Sequence, residues 1–180
     1  MSGVQGALSC FSASVGALGA GNDLAEGQHT LEEAAQRAIL LGAKGFTFRL
    51  PAGGPGRRGP KHGERVLCYF KSSADGNADP NWQTYTPHLK HRVGALAGGN
   101  DVESGYYSLQ EACLRCLSLP HAVGFTFQGS PNQQGKLLCY FKSSTDGNAD
   151  PTWQTYLKGP GTPTLHHRSS GGHPVGHRVA

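Results

Sequence analysis

The chain is written twice, and that constrains it more than any other feature. Leu67 to Tyr85 and Leu138 to Tyr156 differ at only two of nineteen positions, Ala74/Thr145 and Asn81/Thr152. Chance does not produce such a match, so any fold must hold the same unit two times. Upstream, Gly16 to Asp23 (GALGAGND) answers Gly94 to Asp101 (GALAGGND), Thr30 to Ala35 (TLEEAA) answers Ser108 to Cys113 (SLQEAC), and GFTF recurs at Gly45 and Gly124. The offset between copies runs from 78 to 79 and then falls to 71, so the length changes flank GFTF, where surface loops absorb them. Copy one covers 16–86 and copy two 94–157, with 1–15 as an N-terminal extension and 87–93 as a linker. The segment 158–180, rich in Gly, Pro and His, reads as a flexible tail. A unit of this size buries little core for its surface, so the copies are expected to pack together.

Within each copy the pattern predicts one helix on a small antiparallel sheet, an α+β class of fold. Thr30 with Glu33 and Ser108 with Glu111 have the spacing of a capping box, in which a hydroxyl and a carboxylate satisfy each other's backbone N–H groups. Apolar residues then recur at Leu31, Ala34, Ala35, Ala38 and Ile39, and at Leu109, Ala112, Cys113, Cys116 and Leu117, the stripe of a core-facing helix. Gly42 and Pro120 are the stop signals. GFTF alternates phenylalanines as a half-buried strand does, LCYFK is apolar on both faces, and WQTY makes a third strand after turn-forming SSADGNADP.

Composition narrows the function. No run approaches the ~18 apolar residues of a membrane span, which implies a soluble protein. The first thirty residues hold no Lys or Arg and no undiluted apolar run, so nothing there supports export. A formal charge of +4 does not by itself point to nucleic acid. Five cysteines, Cys10, Cys68, Cys113, Cys116 and Cys139, are too few for a disulfide framework and leave one thiol unpaired in a monomer.

Several motifs invite chemistry. Asp75, Asn77 and Asp79, with Asp146, Asn148 and Asp150, place oxygens at alternate positions as a calcium loop begins. An EF-hand needs Gly next and a Glu at position twelve, whereas Pro80 or Pro151 and then Thr86 or Leu157 follow. The plainer reading is an Asx-type turn, with calcium as the alternative. Cys113-Leu114-Arg115-Cys116 lies a turn inside its helix, on the apolar stripe. Core thiols or one structural disulfide therefore fit it better than a redox dithiol or half a zinc site. Arg49, Arg57, Arg58, Lys61 and Arg65 make a basic loop in copy one only, and His166, His167, His173 and His177 sit in the tail; both read as solvated segments. Trp82 and Trp153, with Tyr69, Tyr85, Tyr140 and Tyr156, serve either as core or as a platform for sugar rings or a peptide. A ligand face, if duplicated, would use Lys71, Ser73, Asn77 and Trp82 and their counterparts Lys142, Ser144, Asn148 and Trp153, gaining avidity from two sites. GxSxG, HExxH, P-loop and Rossmann patterns are absent, and no His recurs at matching positions, so no enzyme is expected.

A helix bearing Cys113 and Cys116, then Gly124 to Phe127, then Cys139-Tyr140-Phe141-Lys142-Ser143-Ser144, resembles the PAN/apple family. The resemblance implies a noncatalytic module that binds protein or carbohydrate, usually extracellular, and a disulfide from Cys113 or Cys116 to Cys139. Ala43 and Ala122 stand where that family has a cysteine before the aromatic strand, and Ala35 and Ala38 replace both helix cysteines in copy one. These losses favour an intracellular setting where thiols stay reduced, against the family's own. The reading is thus a tandem binding module without cofactor; its alternative is a scaffold or assembly subunit.

Overall fold

Both capping boxes form in the computed structural model, which describes residues 6–50, 59–131, 133 and 135–165. Thr30 Oγ1 accepts from the Glu33 N–H at 3.2 Å while the Glu33 carboxylate accepts from the Thr30 N–H at 3.0 Å; Ser108 and Glu111 do the same. The helices that follow are α1, Leu31–Leu41, and α2, Leu109–Ser118. Gly42 ends α1 in the left-handed conformation at φ 60°, which a glycine adopts without steric cost, and Leu119 before Pro120 ends α2 in extended backbone.

Around α1 the first unit sets a 3-10 turn, Ala7–Cys10, then β1 Phe11–Val15, β2 Ala17–Leu18, β3 Asp23–His29, β4 Gly45–Arg49, β5 Val66–Lys71, β6 Gly76–Asn77 and β7 Trp82–Pro87. The second unit repeats the order as β8 Leu89–Val93, β9 Ala95–Leu96, β10 Asp101–Tyr107, β11 Gly124–Gln128, β12 Leu137–Lys142, β13 Gly147–Asn148 and β14 Trp153–Lys158. Each unit has a five-stranded antiparallel sheet, ordered β1-β7-β4-β5-β3 and β8-β14-β11-β12-β10, plus a two-stranded ribbon, β2 with β6 or β9 with β13. The α+β expectation holds at this level, as two similar halves.

Three boundaries move. The segment 87–93 contains β8, which pairs along β14 as the edge strand of the second sheet, and the extension 1–15 contains β1, which pairs with β7. Sequence similarity between β1 (FSASV) and β8 (LKHRV) is confined to the final Val, so the repeat is visible there only in pairing. Of the segment 158–180, Lys158 closes β14 and 159–165 is tied down: Leu165 N–H donates to Leu117 O at 3.0 Å and Thr162 Oγ1 to His88 O at 3.2 Å. Residues 166–180, with the four tail histidines, lie outside the described residues.

Strand periodicity sorts the side chains cleanly. Register pairs Phe46 with Phe70 and Tyr85, and Phe48 with Cys68, on the face toward the helices. Six phenylalanines, Phe46, Phe48, Phe70, Phe125, Phe127 and Phe141, are fully buried there, each contributing about 2 kcal/mol of transfer free energy. Residues of both units form one hydrophobic cluster, so the copies do pack together. Its joint is asymmetric. Tyr156 Oη of the second sheet donates to Ile39 O in α1 at 3.2 Å, and the Ala7–Cys10 turn touches both helices.

Glu103 adds a polar brace found in the second unit alone. It accepts from Arg115 Nε at 2.9 Å and Tyr107 Oη at 2.7 Å, whereas the matching position of β3 is Ala25. The Arg115 hydrogen bond is the main reason its carboxyl titrates below the ordinary 4.5. A carboxyl lowered by folding stabilises fully above its unfolded value, and that contribution disappears as pH falls through the folded value. Stability should therefore decline below about pH 4.5, and Glu103→Gln should flatten this acid limb by under about 1 kcal/mol, since the pair is partly exposed. Urea midpoints measured from pH 6 to pH 2.5 for both proteins check this.

Candidate functional site

The alternation that buries Phe46 and Phe70 sends Tyr69, Trp82 and Arg49 to the opposite face of the first sheet. Tyr69 and Trp82 are half-buried and lie 5.9 Å apart between ring centroids, at 55°. Tyr140 and Trp153 repeat the arrangement at 6.1 Å and 47°. Tyr85 and Tyr156, grouped with them by composition, point the other way and stack on Phe46 and Phe125 at 5.1 and 5.2 Å. So of the aromatics singled out by sequence, Tyr69, Trp82, Tyr140 and Trp153 occupy the outer faces, and Tyr85 and Tyr156 belong to the core. The second face extends further: Tyr106, 67% exposed, lies opposite exposed Leu138, where the first has Gln28 opposite Leu67.

Each ribbon packs over part of its outer face, β2 on β4 and β7, and β9 on β11 and β14. Leu18 and Leu96 are buried over the sheets, and Gly45 permits the closeness beneath the first ribbon, because a Cβ there would sit 2.9 Å from Leu18 Cδ1. Thr84 Oγ1 donates to Gly16 O at 2.8 Å and Thr155 Oγ1 to Gly94 O at 2.6 Å, tying the ribbons down. Thr84 and Thr155 are duplicated in WQTY, and each is also hydrogen-bonded to the threonine of its GFTF strand, Thr47 or Thr126, at 3.1 and 3.0 Å.

The lysines are not ligand-facing. Lys71 and Lys142 are 5% and 4% exposed. Lys71 Nζ binds Asp23 Oδ1 at 2.7 Å and Gly21 O at 3.2 Å; Lys142 Nζ binds Asp101 Oδ1 at 2.6 Å, Ala97 O at 2.9 Å and Gly99 O at 3.2 Å. Each also lies within 6 Å of the Tyr69 or Tyr140 ring. A bulge at Leu24 or Val102 aims the aspartate at the lysine. Removing Lys71 and Lys142 from the ligand face is a correction: a buried ammonium needs partners, and the turn carbonyls supply them.

Ser73, Asn77, Ser144 and Asn148 sit in the segments that precede the tryptophans along the chain, with both asparagines exposed. Their carboxylate neighbours are committed to the turn itself. Asp75 Oδ2 accepts from Ser73 Oγ at 2.8 Å, Asn77 Oδ1 from the Asp79 N–H at 3.1 Å, and Asp79 Oδ1 from the Asn81 N–H at 2.8 Å. Asp146, Asn148 and Asp150 repeat this, and the Thr152 N–H and hydroxyl hold the Asp150 carboxyl below its ordinary range. This is the Asx-turn geometry, and among the described residues no group of three His, Cys, Asp or Glu converges as a metal site.

All five thiols are unpaired and buried, so Cys139 is joined to neither Cys113 nor Cys116. Burial pushes Cys68, Cys116 and Cys139 up to about 12, away from a reactive thiolate. Cys10, which belongs to the N-terminal extension, packs with its turn against α2, the helix that carries Cys113. Both line a cleft at the joint of the units with Tyr156, Gly42, Pro87 and His91. Of the basic loop, Arg57 and Arg58 lie outside the described residues; Arg65 is spent on Glu33 at 3.2 Å and Gln28 O at 2.9 Å. Among the described residues no helix is long and apolar enough to cross a membrane.

Compared with models of known protein families and with curated proteins, the chain matches none.

Proposed function

We propose that the chain is a noncatalytic tandem binding module that takes a protein or carbohydrate ligand on the outer faces of its two sheets. One observation carries this: the Tyr69–Trp82 pair and its duplicate Tyr140–Trp153 lie partly exposed on the outer faces, although each core is already filled by phenylalanine. Amphipathic aromatics that follow a turn exposing Asn77 or Asn148 suit sugar rings or a peptide, offering stacking area together with amide N–H donors. The PAN/apple resemblance points the same way, supported by a helix laid on an antiparallel sheet in each unit. The noncatalytic reading is supported by thiols raised well above neutrality and by hydroxyls and carboxylates spent on turns.

A glycan and peptide array, followed by titration of tryptophan fluorescence with the best binder, tests the proposal. Trp82→Ala and Trp153→Ala should each weaken binding of a multivalent ligand at least tenfold through lost avidity, and the double variant should abolish it. Silence on the array together with self-association in sedimentation would replace this reading with the scaffold.

A further inference from the structure

The Ala7–Cys10 turn packs against both helices, with Ala7 and Cys10 buried in the shared core. The Ala7 and Leu8 N–H groups donate to the Glu32 carboxylate of α1, the latter at 3.2 Å, and Cys10 O accepts from the His88 N–H at 2.8 Å. The second unit has Gln110 at the position of Glu32, so this clasp exists once. It delivers Cys10 onto α2, where Cys10 and Cys113 line one small cleft together. Each is 2% exposed, and both line the cleft together with the partly exposed Gly42, Pro87 and His91.

We propose that Cys10 and Cys113 form a reversible disulfide across the joint of the two units, with a small-molecule disulfide such as oxidised glutathione as the two-electron acceptor. Cys10, on the short turn, loses its proton and attacks one sulfur of the acceptor, expelling one thiolate and leaving a mixed disulfide. Cys113 then loses its proton and attacks Cys10 Sγ, expelling the second thiolate. The two released thiolates take up the two protons, so two protein thiols are oxidised and one acceptor disulfide is reduced. Cleft depth makes this a slow reaction in the closed protein, because about 20 Å³ admits a water but not glutathione. Undocking of the turn from Glu32 is the route in. The bond closes a loop of about 100 residues between the N-terminal turn and the second unit, and fixes the two outer faces relative to each other.

The full chain, equilibrated in glutathione buffers of graded ratio, trapped with iodoacetamide under denaturing conditions and mapped by peptide mass spectrometry, tests this. Oxidising buffers should leave three alkylatable thiols of five, link the Cys10 and Cys113 peptides, and raise Tm by roughly 10 °C, all reversed by dithiothreitol. Cys10→Ser should keep its four remaining thiols reduced and show no Tm rise. Five alkylatable thiols at every ratio, or a bridge from Cys113 or Cys116 to Cys139, would overturn the proposal. Should Cys10→Ser not fold, the map of the unaltered chain decides the matter alone.

Discussion

Tyr156→Ala should destabilise the protein by about 4 kcal/mol, and Tyr85→Ala, in an otherwise identical WQTY segment, by roughly half as much. Both rings stack almost parallel on a phenylalanine, Phe125 or Phe46. Surroundings separate them. Tyr156 is 3% exposed, contacts the His91 ring at 5.0 Å and reaches Ile39 O across the joint, whereas Tyr85 is partly exposed. Truncating a ring with packing on every side leaves a cavity that neighbours cannot fill, and the cost grows with that volume. Tyr156→Phe separates the hydroxyl from the ring. It should cost only about 1 kcal/mol, because Ile39 O keeps the Gly42 N–H at 3.1 Å and is not orphaned. Urea denaturation of the three variants measures this. Equal losses for the two alanine variants would mean that the units do not share a core at Tyr156.

Local rules act within a few residues, and they made much of the fold legible. Capping boxes at Thr30 and Ser108, the apolar stripes of α1 and α2, and the alternation of GFTF all name their own structure. The edge strands stayed hidden. β1 carries small and polar residues, four of five exposed, and β8 carries Lys90, His91 and Arg92; edge strands buried on so little surface leave no periodicity to read. β3 and β10 are broken by glycine and a bulge, which blurs alternation in the same way. At the candidate site the Trp and Tyr residues were found but not their faces, since register alone sets Tyr69 outward and Tyr85 inward. Arrangements distant in sequence gave no signal at all: Glu32 with Ala7, Tyr156 with Ile39, and the cleft that Cys10 and Cys113 line together.

Lys142→Ala should cost about 3 kcal/mol, and Lys71→Ala somewhat less, the opposite of what surface lysines on a ligand face would do. Deleting one partner of a buried pair strands the other. Here the loss would strand Ala97 O, Gly99 O and Asp101 in the second unit, but only Gly21 O and Asp23 in the first. The aspartates are about 40% exposed and regain water, which keeps both values near the lower limit for buried pairs. Arginine should not rescue either site, because a planar fork cannot place donors on carbonyls arranged around a point charge. Salt supplies the discriminating control: surface pairs weaken between 0.1 and 1 M as the screening length falls to about 3 Å, while the loss from Lys142→Ala should stay constant. The turns that Lys71 and Lys142 clamp lie beside the exposed faces, so the lysines shape a binding surface without touching its ligand. A lysine variant that keeps full stability yet loses ligand would put the ammonium group back on the ligand face.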